Sequence, residues 1–241
     1  MDLNQNVNEN VDTGTLRIHL TNESNGTPVQ GAKISISYTG NPSQTIEEVS
    51  ADDSGNSEEL TLNAPPLEYS MEPSEEQPYA EYTIRVQAPG YRDITVSAIN
   101  VLPGETAIQN VRMEAEDAPG DRIDTVVIAA HTLYAEYPPK IPEDEIKPMN
   151  ESGEIVLSRV VIPEYIVVHD GAPGDTTASD YYIRYRDYIK NVASSEIYAT
   201  WPDAAIRANV LAIMSFTLNR VYTEWYRGKG YNFTITSSTA Y

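Results

Sequence analysis

The sequence predicts an α+β protein in which an antiparallel β-sandwich is followed by a mixed domain of strands and two core helices. From about Gly14 to Glu114, apolar and polar residues alternate with the period of two that is typical of half-buried strands. From about Tyr185 onward, apolar residues recur at spacings of three and four, which is the period of a helix. A chain of 241 residues with 40% hydrophobic content is long enough to bury two such cores.

The domain boundaries follow from breaks in composition. The segment EAEDAPGD ends the alternating pattern, and the acidic, Pro-rich segment YPPKIPEDEIKP interrupts two further strand-like runs. We therefore expect a sandwich over residues 13–116, a linker with a strand and a Pro/Glu-rich loop over residues 117–154, and a second domain over residues 155–241.

The composition narrows the classes of partner. The chain carries 36 acidic and 16 basic side chains, a formal net charge of −20, so it repels the phosphates that a nucleic-acid-binding protein must neutralise. It has no cysteine, and His19, His131 and His169 lack ligand-like spacing, so no metal site is expected. No apolar run reaches the roughly 18 residues of a spanning helix, and no secretory signal is visible. We expect no nucleic-acid partner and no membrane span.

Six segments of the first domain have the alternating pattern of strands. Clusters of Gly, Pro, Asn and Asp separate them, and no helical pattern intervenes, which favours a sandwich over a doubly wound sheet. The segments are TLRIHL, AKISISY, EELTL, YTIRVQA, DITVSAI and IQNVRM. Residues 64–81 are rich in Pro and Glu and are expected to form a long exposed loop.

Three stretches of this domain share a family pattern: TPVQGAKISI, DDSGNSEELTL, and YTIRVQAPGYRDITV with the PGE turn that follows it. Together they resemble the carboxypeptidase-regulatory-like family of transthyretin-type sandwiches. The resemblance implies that Gly31 opens a strand, that Asp53 and Gly55 form a hairpin turn, and that Gly90 ends a strand. Modules of this family usually act as spacers or docking surfaces, which implies protein assembly through the sandwich.

The first helix of the second domain is predicted from one apolar stripe. Tyr185, Ile189, Val192 and Glu196 are spaced by four, three and four residues. The segment GAPGDTTASDYY before this helix is predicted to be a turn.

A second helix is expected from about Thr200 to Tyr226. Thr200 or Trp201 is its predicted N-cap, Pro202 suits its first turn, and Gly228 stops it. The closing segment FTITSSTAY predicts the start of another strand.

Glu196 is the candidate catalytic residue. On an apolar stripe near the C-terminal end of a helix, desolvation and the negative end of the helix dipole both disfavour a charged carboxylate. A carboxyl group that keeps its proton can donate it to a glycosidic oxygen. The alternative is a glutamate at a frayed helix end that reaches solvent, and periodicity alone does not decide between the two.

Residues 187–217 read DYIKNVASSEIYATWPDAAIRANVLAIMSFT. This segment resembles the glutamate-containing motif of the stage II sporulation protein D family, and the resemblance extends from about Ile155 to the end of the chain. Members of this family cleave peptidoglycan glycan strands as lytic transglycosylases or modulate wall amidases. The resemblance implies that Glu196 acts first as acid and then as base, with no cofactor. Five further residues are the candidates for binding the glycan: Tyr198, Trp201, Arg207, Asn209 and Ser215.

Two departures from the family pattern keep a second hypothesis open. Met214 stands where the family typically has an arginine, and the pattern continues past Tyr241, so the domain is expected to be incomplete at its C terminus. Both departures favour a non-catalytic module that binds the cell wall or assembles into a spore layer or a phage-tail-like particle. Whether the chain is an enzyme is therefore left open, and both hypotheses place it in the cell wall or in the extracellular or spore envelope.

Overall fold

The computed structural model describes residues 11–73, 75–117, 124–131, 133 and 161–238. The chain divides into two compact units, Met1–His131 and Thr132–Tyr241. The acidic, Pro-rich loop and residues 154–160 of the expected strand-like run EIVLSRVVIPEYIVVHDG lie outside the described residues.

Two sheets form a β-sandwich in the first unit. One has three strands in the order β4 (Leu60–Ala64), β1 (Asp12–Asn22) and β7 (Thr106–Met113). The other has five strands in the order β3 (Thr45–Ser50), β2 (Lys33–Tyr38), β5 (Ala80–Gln87), β6 (Ile94–Val101) and β8 (Thr125–Val127). Inward side chains of both sheets share one apolar core, which includes Leu16, Ile18, Ile34, Ile84 and Val111.

Not every ladder has the antiparallel pairing that we expected. β1 pairs with β7 in parallel, as β6 does with β8. The other ladders between the described strands of this unit are antiparallel. Alternation indicates which face of a strand is buried, but the direction of pairing between strands far apart in sequence depends on the path of the chain.

The segment between β4 and β5 is largely exposed, as its composition predicts, but it is not entirely irregular. It contains a short helix, α1 (Glu68–Met71), and it buries Ser70 and Tyr79. The hydroxyl of Tyr79 donates a hydrogen bond to the main-chain oxygen of His131 at 2.8 Å and accepts one from the N–H of the same residue at 3.0 Å. These contacts anchor a segment whose sequence has no apolar periodicity.

Strand β3 was also missing from the predicted strands. Its sequence is TIEEVS, and Val49 is its one buried residue. An edge strand with so little buried surface leaves almost no alternation to detect.

Gly55 lies in the tight turn that follows Asp52. Its φ is +75°, and a Cβ at this position would lie 2.4 Å from the main-chain oxygen of Leu20. In the same turn, one carboxylate oxygen of Asp52 accepts hydrogen bonds from two main-chain N–H groups at 2.9 and 2.8 Å. The turn therefore uses Gly55 as the resemblance implies, but Asp52 caps it where the resemblance implied Asp53.

The second unit combines a small sheet with two helices. Its strands follow the order β10 (Asp180–Arg184), β9 (Tyr165–His169) and β11 (Ile235–Thr236), with β10 antiparallel and β11 parallel to β9. The helices are α2 (Tyr185–Glu196) and α3 (Asp203–Tyr222). The core between sheet and helices consists of Ile166, Val168, Tyr185, Ile189, Ile213 and Ile235.

Helix α2 agrees with its predicted stripe, since Tyr185 and Ile189 are buried. The strand directly before it, β10, was not predicted. Four of its five residues are exposed, so its sequence DYYIR shows no alternation. Its first three residues belong to the segment that we expected to be a turn.

Helix α3 is shorter than predicted at both ends. It begins at Asp203, and Pro202 is its N-cap in place of Thr200 or Trp201. It ends at Tyr222, about one turn early, because Glu224 adopts a left-handed φ of +47° that leaves the helical path. Among the described helices, none is both long enough and apolar enough to cross a bilayer.

Replacing Gly55 with alanine is expected to lower the free energy of unfolding of the first unit by about 1–3 kcal/mol, because the added Cβ meets a carbonyl oxygen in a strained backbone region. Gly40→Ala is the control: no heavy atom lies within 4 Å of its added Cβ, so its effect should stay within about 0.5 kcal/mol. Urea unfolding followed by circular dichroism measures both variants. Equal free energies would contradict this role of Gly55.

Candidate functional site

A groove in the second unit runs along α2. It consists of two adjoining cavities of about 350 and 480 Å³. Glu196 lines only the first cavity, and Tyr181 and Asp187 line only the second. Four residues line both: Tyr188, Val192, Thr236 and Ser237. The two cavities are therefore two halves of one groove between α2 and the end of β11.

Glu196 is the last residue of α2, and its side chain is exposed. The expectation that this carboxyl group is desolvated by the core is therefore wrong. The next two residues, Ile197 and Tyr198, turn inward instead and are only 7% and 2% exposed. The chain after the helix thus covers the core, and Glu196 reaches solvent at the helix end, as the alternative reading of the stripe described.

Asn209 of α3 holds the Glu196 carboxylate. Its Nδ2 donates a hydrogen bond to Oε2 of Glu196 at 2.9 Å. The amide nitrogen is the only donor of the Asn209 side chain, so it is the group that faces the accepting Oε2 of Glu196. The amide oxygen of Asn209 is buried and has no hydrogen-bond partner among the described residues. Of the five predicted binding residues, Asn209 is thus brought directly to the candidate acid.

Tyr188 lies in the middle of the groove and was not among the predicted binding residues. Burial raises the pKa of the Tyr188 hydroxyl, a hydrogen bond with Thr217 lowers it, and the charge of Glu196 raises it further, with a net rise. The Thr217 hydroxyl donates to the main-chain oxygen of Ile213 at 2.8 Å, which leaves its oxygen to accept from Tyr188. Tyr188 therefore keeps its proton and presents a phenol near Glu196.

Tyr198 and Trp201 do not line the groove. Tyr198 is buried, and its hydroxyl accepts a main-chain hydrogen bond at 3.3 Å. Trp201 is half-buried in the connection between α2 and α3. Neither ring offers a face to a ligand in the groove, because both residues belong to the turn that closes the core behind Glu196.

Arg207 and Ser215 also lie away from the groove, exposed on α3. With 3.6 residues per turn, they are about 160° and 120° around the helix from Asn209. Arg207 instead pairs with Asp203 one turn earlier, at 2.7 Å. Their positions in the motif therefore do not place them beside Glu196.

His169, at the end of β9, is a polar centre that the sequence did not reveal. Its ring is 7% exposed and stacks on Phe233 at a centroid distance of 4.4 Å. Nδ1 lies 2.7 Å from Oδ1 of Asp180, and Nε2 lies 3.0 Å from the main-chain oxygen of Ala172. Because both neighbours accept hydrogen bonds, the geometry favours an imidazolium with two N–H donors.

The hydrogen bond with Asp180 raises the pKa of His169 above its ordinary value, and burial opposes this rise only in part. Because both ring nitrogens are engaged, His169 offers no lone pair to a metal. In the described part of the chain, no group of three or more His, Asp or Glu side chains is placed to hold a metal ion.

Comparison with known proteins shows little similarity in sequence. No protein-family model matches this chain. No curated protein matches it.

Some solved structures are weakly similar in fold. The Bacillus anthracis TIE protein is 23% identical with a TM-score of 0.30, over 43% of this chain and 17% of that protein. GBS52, the minor pilin of Streptococcus agalactiae, is 13% identical with a TM-score of 0.31, over 46% and 48% of the two chains. Klebsiella pneumoniae 5-hydroxyisourate hydrolase is 18% identical with a TM-score of 0.26, over 41% and 89%. This chain spans less than half the length of the first two.

The stability that His169 contributes is expected to be complete below about pH 6.5, the ordinary pKa of histidine, and to be lost as the pH rises through its raised pKa. A neutral ring can donate to only one of its two acceptors. Urea unfolding followed by tryptophan fluorescence reports on the second unit, since Trp201 and Trp225 both lie in it. The difference in unfolding free energy between the wild type and His169→Gln should shrink with rising pH. A difference that is independent of pH would contradict the imidazolium assignment.

Proposed function

We propose that the second unit cleaves peptidoglycan glycan strands in the manner of a lytic transglycosylase, with Glu196 as the acid and then the base. The observation that supports this proposal most is the position of Glu196 in a groove, where Asn209 holds one carboxylate oxygen at 2.9 Å. The type of reaction is inferred from the resemblance of residues 187–217 to the stage II sporulation protein D family.

The reaction requires one carboxyl group. Glu196 donates its proton to the glycosidic oxygen, and the bond from that oxygen to C1 of the muramoyl residue breaks. The carboxylate then accepts the proton of the muramoyl 6-hydroxyl, whose oxygen bonds to C1. The products are one strand with a free 4-hydroxyl and one strand that ends in a 1,6-anhydro sugar. No water is consumed, so the second carboxylate of ordinary glycosidases is not needed.

The first unit is assigned the role of a docking module that delivers the second unit to the wall. Its β-sandwich has a strongly acidic sequence, and the resemblance to carboxypeptidase-regulatory-like modules supports a role in protein assembly. The proposed location is accordingly the cell wall, or the extracellular or spore envelope, where the enzyme would take part in wall remodelling or penetration.

A second candidate function is a non-catalytic module that binds glycan or assembles into a spore layer or a phage-tail-like particle. It is favoured by one observation: four of the predicted binding residues do not line the groove, namely Tyr198, Trp201, Arg207 and Ser215. Sedimentation with purified wall sacculi separates the two functions. Binding without release of anhydro sugars supports the module, and binding with release supports the enzyme.

Glu196→Gln is expected to lower the rate of glycan cleavage at least about 100-fold, because it removes the only proton donor of the proposed reaction. Peptide-stripped glycan strands are digested, and the anhydro-ended products are quantified by chromatography. Glu164→Gln is the matched control, since Glu164 is an exposed glutamate of the same unit outside the groove. Equal product from wild type and Glu196→Gln would exclude Glu196 as the acid.

Asn209→Ala is expected to lower kcat about 10-fold with little change in KM, because the carboxyl group loses the donor that fixes its orientation. The same digestion measures both constants. Ser215→Ala serves as the control on the same helix and should match the wild type. An unchanged kcat for Asn209→Ala would show that the hydrogen bond does not position the acid.

A further inference from the structure

The groove does not end near Glu196. Its second half is the larger cavity, about 480 Å³, and it shares Tyr188 and Val192 with the first half. From Tyr188 to Glu196, α2 advances by eight residues, or about 12 Å. A ligand that fills both halves therefore extends beyond the glycosidic bond on which Glu196 acts.

Tyr181 presents an aromatic face to this second half. It lines the cavity and is 50% exposed. The next residue of β10, Tyr182, is 72% exposed but stacks on Tyr165 with a centroid distance of 4.8 Å and an interplanar angle of 10°. Successive side chains of a strand point to opposite faces, so Tyr181 faces the groove and Tyr182 does not.

The polar groups around Tyr181 suit a ligand rich in hydroxyl groups. Asp187 and Asn191 line the same half, as does Asp170, whose Oδ1 accepts a hydrogen bond from Ser237 at 2.8 Å. Asp187 lies 3.6 Å from the guanidinium of its exposed neighbour Arg186. Carboxylate and amide oxygens accept hydrogen bonds from sugar hydroxyls, while an aromatic ring packs against the apolar face of a pyranose.

The charges of the second half of the groove disfavour an acidic sugar ring. The described residues that line this half include Asp170 and Asp187 but no lysine, arginine or histidine. An anionic ring would meet two carboxylates there, and the neighbouring Arg186 already lies 3.6 Å from Asp187. The ring that fits this half is an uncharged one.

We propose that the second half of the groove is a separate saccharide-binding subsite, in which Tyr181 stacks on an uncharged pyranose ring and Asp187 and Asn191 bind its hydroxyl or amide groups. The subsite deepens the proposed function, because it extends the substrate beyond the cleaved bond. The subsite rests on the proposed function because that function makes the ligand a glycan. It does not require that the glycan is cleaved.

The test measures binding separately from cleavage. The full chain carrying Glu196→Gln is titrated with N-acetylglucosamine hexamers, and binding is followed by calorimetry and by the NMR signal of the Asn191 side-chain amide. Adding Tyr181→Ala is expected to weaken hexamer binding about fivefold, which is typical of a lost aromatic contact, and Tyr181→Phe should retain binding. Tyr182→Ala is the matched control and should bind as the parent does.

Each outcome has one meaning for the subsite. Equal affinities for the Tyr181→Ala and Tyr182→Ala proteins, no shift of the Asn191 signal, or no hexamer binding at all would overturn it. If the hexamer binds through Tyr181 but the wild type releases no anhydro sugars from glycan strands, the subsite stands and the proposed reaction fails. If the wild type cleaves and Tyr181→Ala leaves binding unchanged, the reaction stands and the subsite fails.

Discussion

The packing of α2 against the small sheet is the constraint on which the groove depends. Tyr185 and Ile189 are buried in the core of the second unit, and burial of a large apolar side chain stabilises a fold by about 1.5–3 kcal/mol. With these two residues inside, Tyr188 and Val192 face the groove, and the helix ends with Glu196 at its edge. A rotation of the helix by one residue, about 100°, would bury polar groups and turn Tyr188 and Val192 away from the groove.

Helix α3 completes this arrangement. Ile213 is buried in the same core, and Met214 packs against it. An arginine at position 214 would place a charge against apolar side chains, which is costly without a partner. The departure from the family pattern at Met214 is therefore consistent with the packing of this unit, and the polar contact to Glu196 is made by Asn209.

The sequence predicts those features that depend on local periodicity. The two helices and most strands are of this kind, because each displays its buried face along its own length. β3 and β10 were missed because they bury few residues, and the parallel pairing of β1 with β7 joins segments about ninety positions apart in the chain. The contact between His169 and Asp180 likewise depends on the register of β9 and β10, in which the two residues are partners.

The site was harder to predict than the fold for a related reason. The motif positions Arg207 and Ser215 share a helix with Asn209, but helical geometry turns them away from it. Whether the Glu196 side chain is buried or exposed depends on where α2 ends relative to the sheet. The apolar stripe in the sequence does not determine that end point. Tyr188 and Tyr181 are two of 17 tyrosines in the chain, and the sequence does not show that β10, β11 and α2 bring these two to one groove.

The exposure of Glu196 in the free protein also bears on how it would work as an acid. A proton donor is favoured when its surroundings disfavour the charged carboxylate. The core does not provide such surroundings, because Ile197 and Tyr198 cover it instead. A glycan seated along Tyr188 and Val192 would displace water from the groove and bring the carboxyl group into contact with sugar rings. In the proposed reaction, the substrate itself thus supplies the desolvation that the sequence attributed to the helix stripe, and a longer ligand that fills both halves of the groove would supply it more completely.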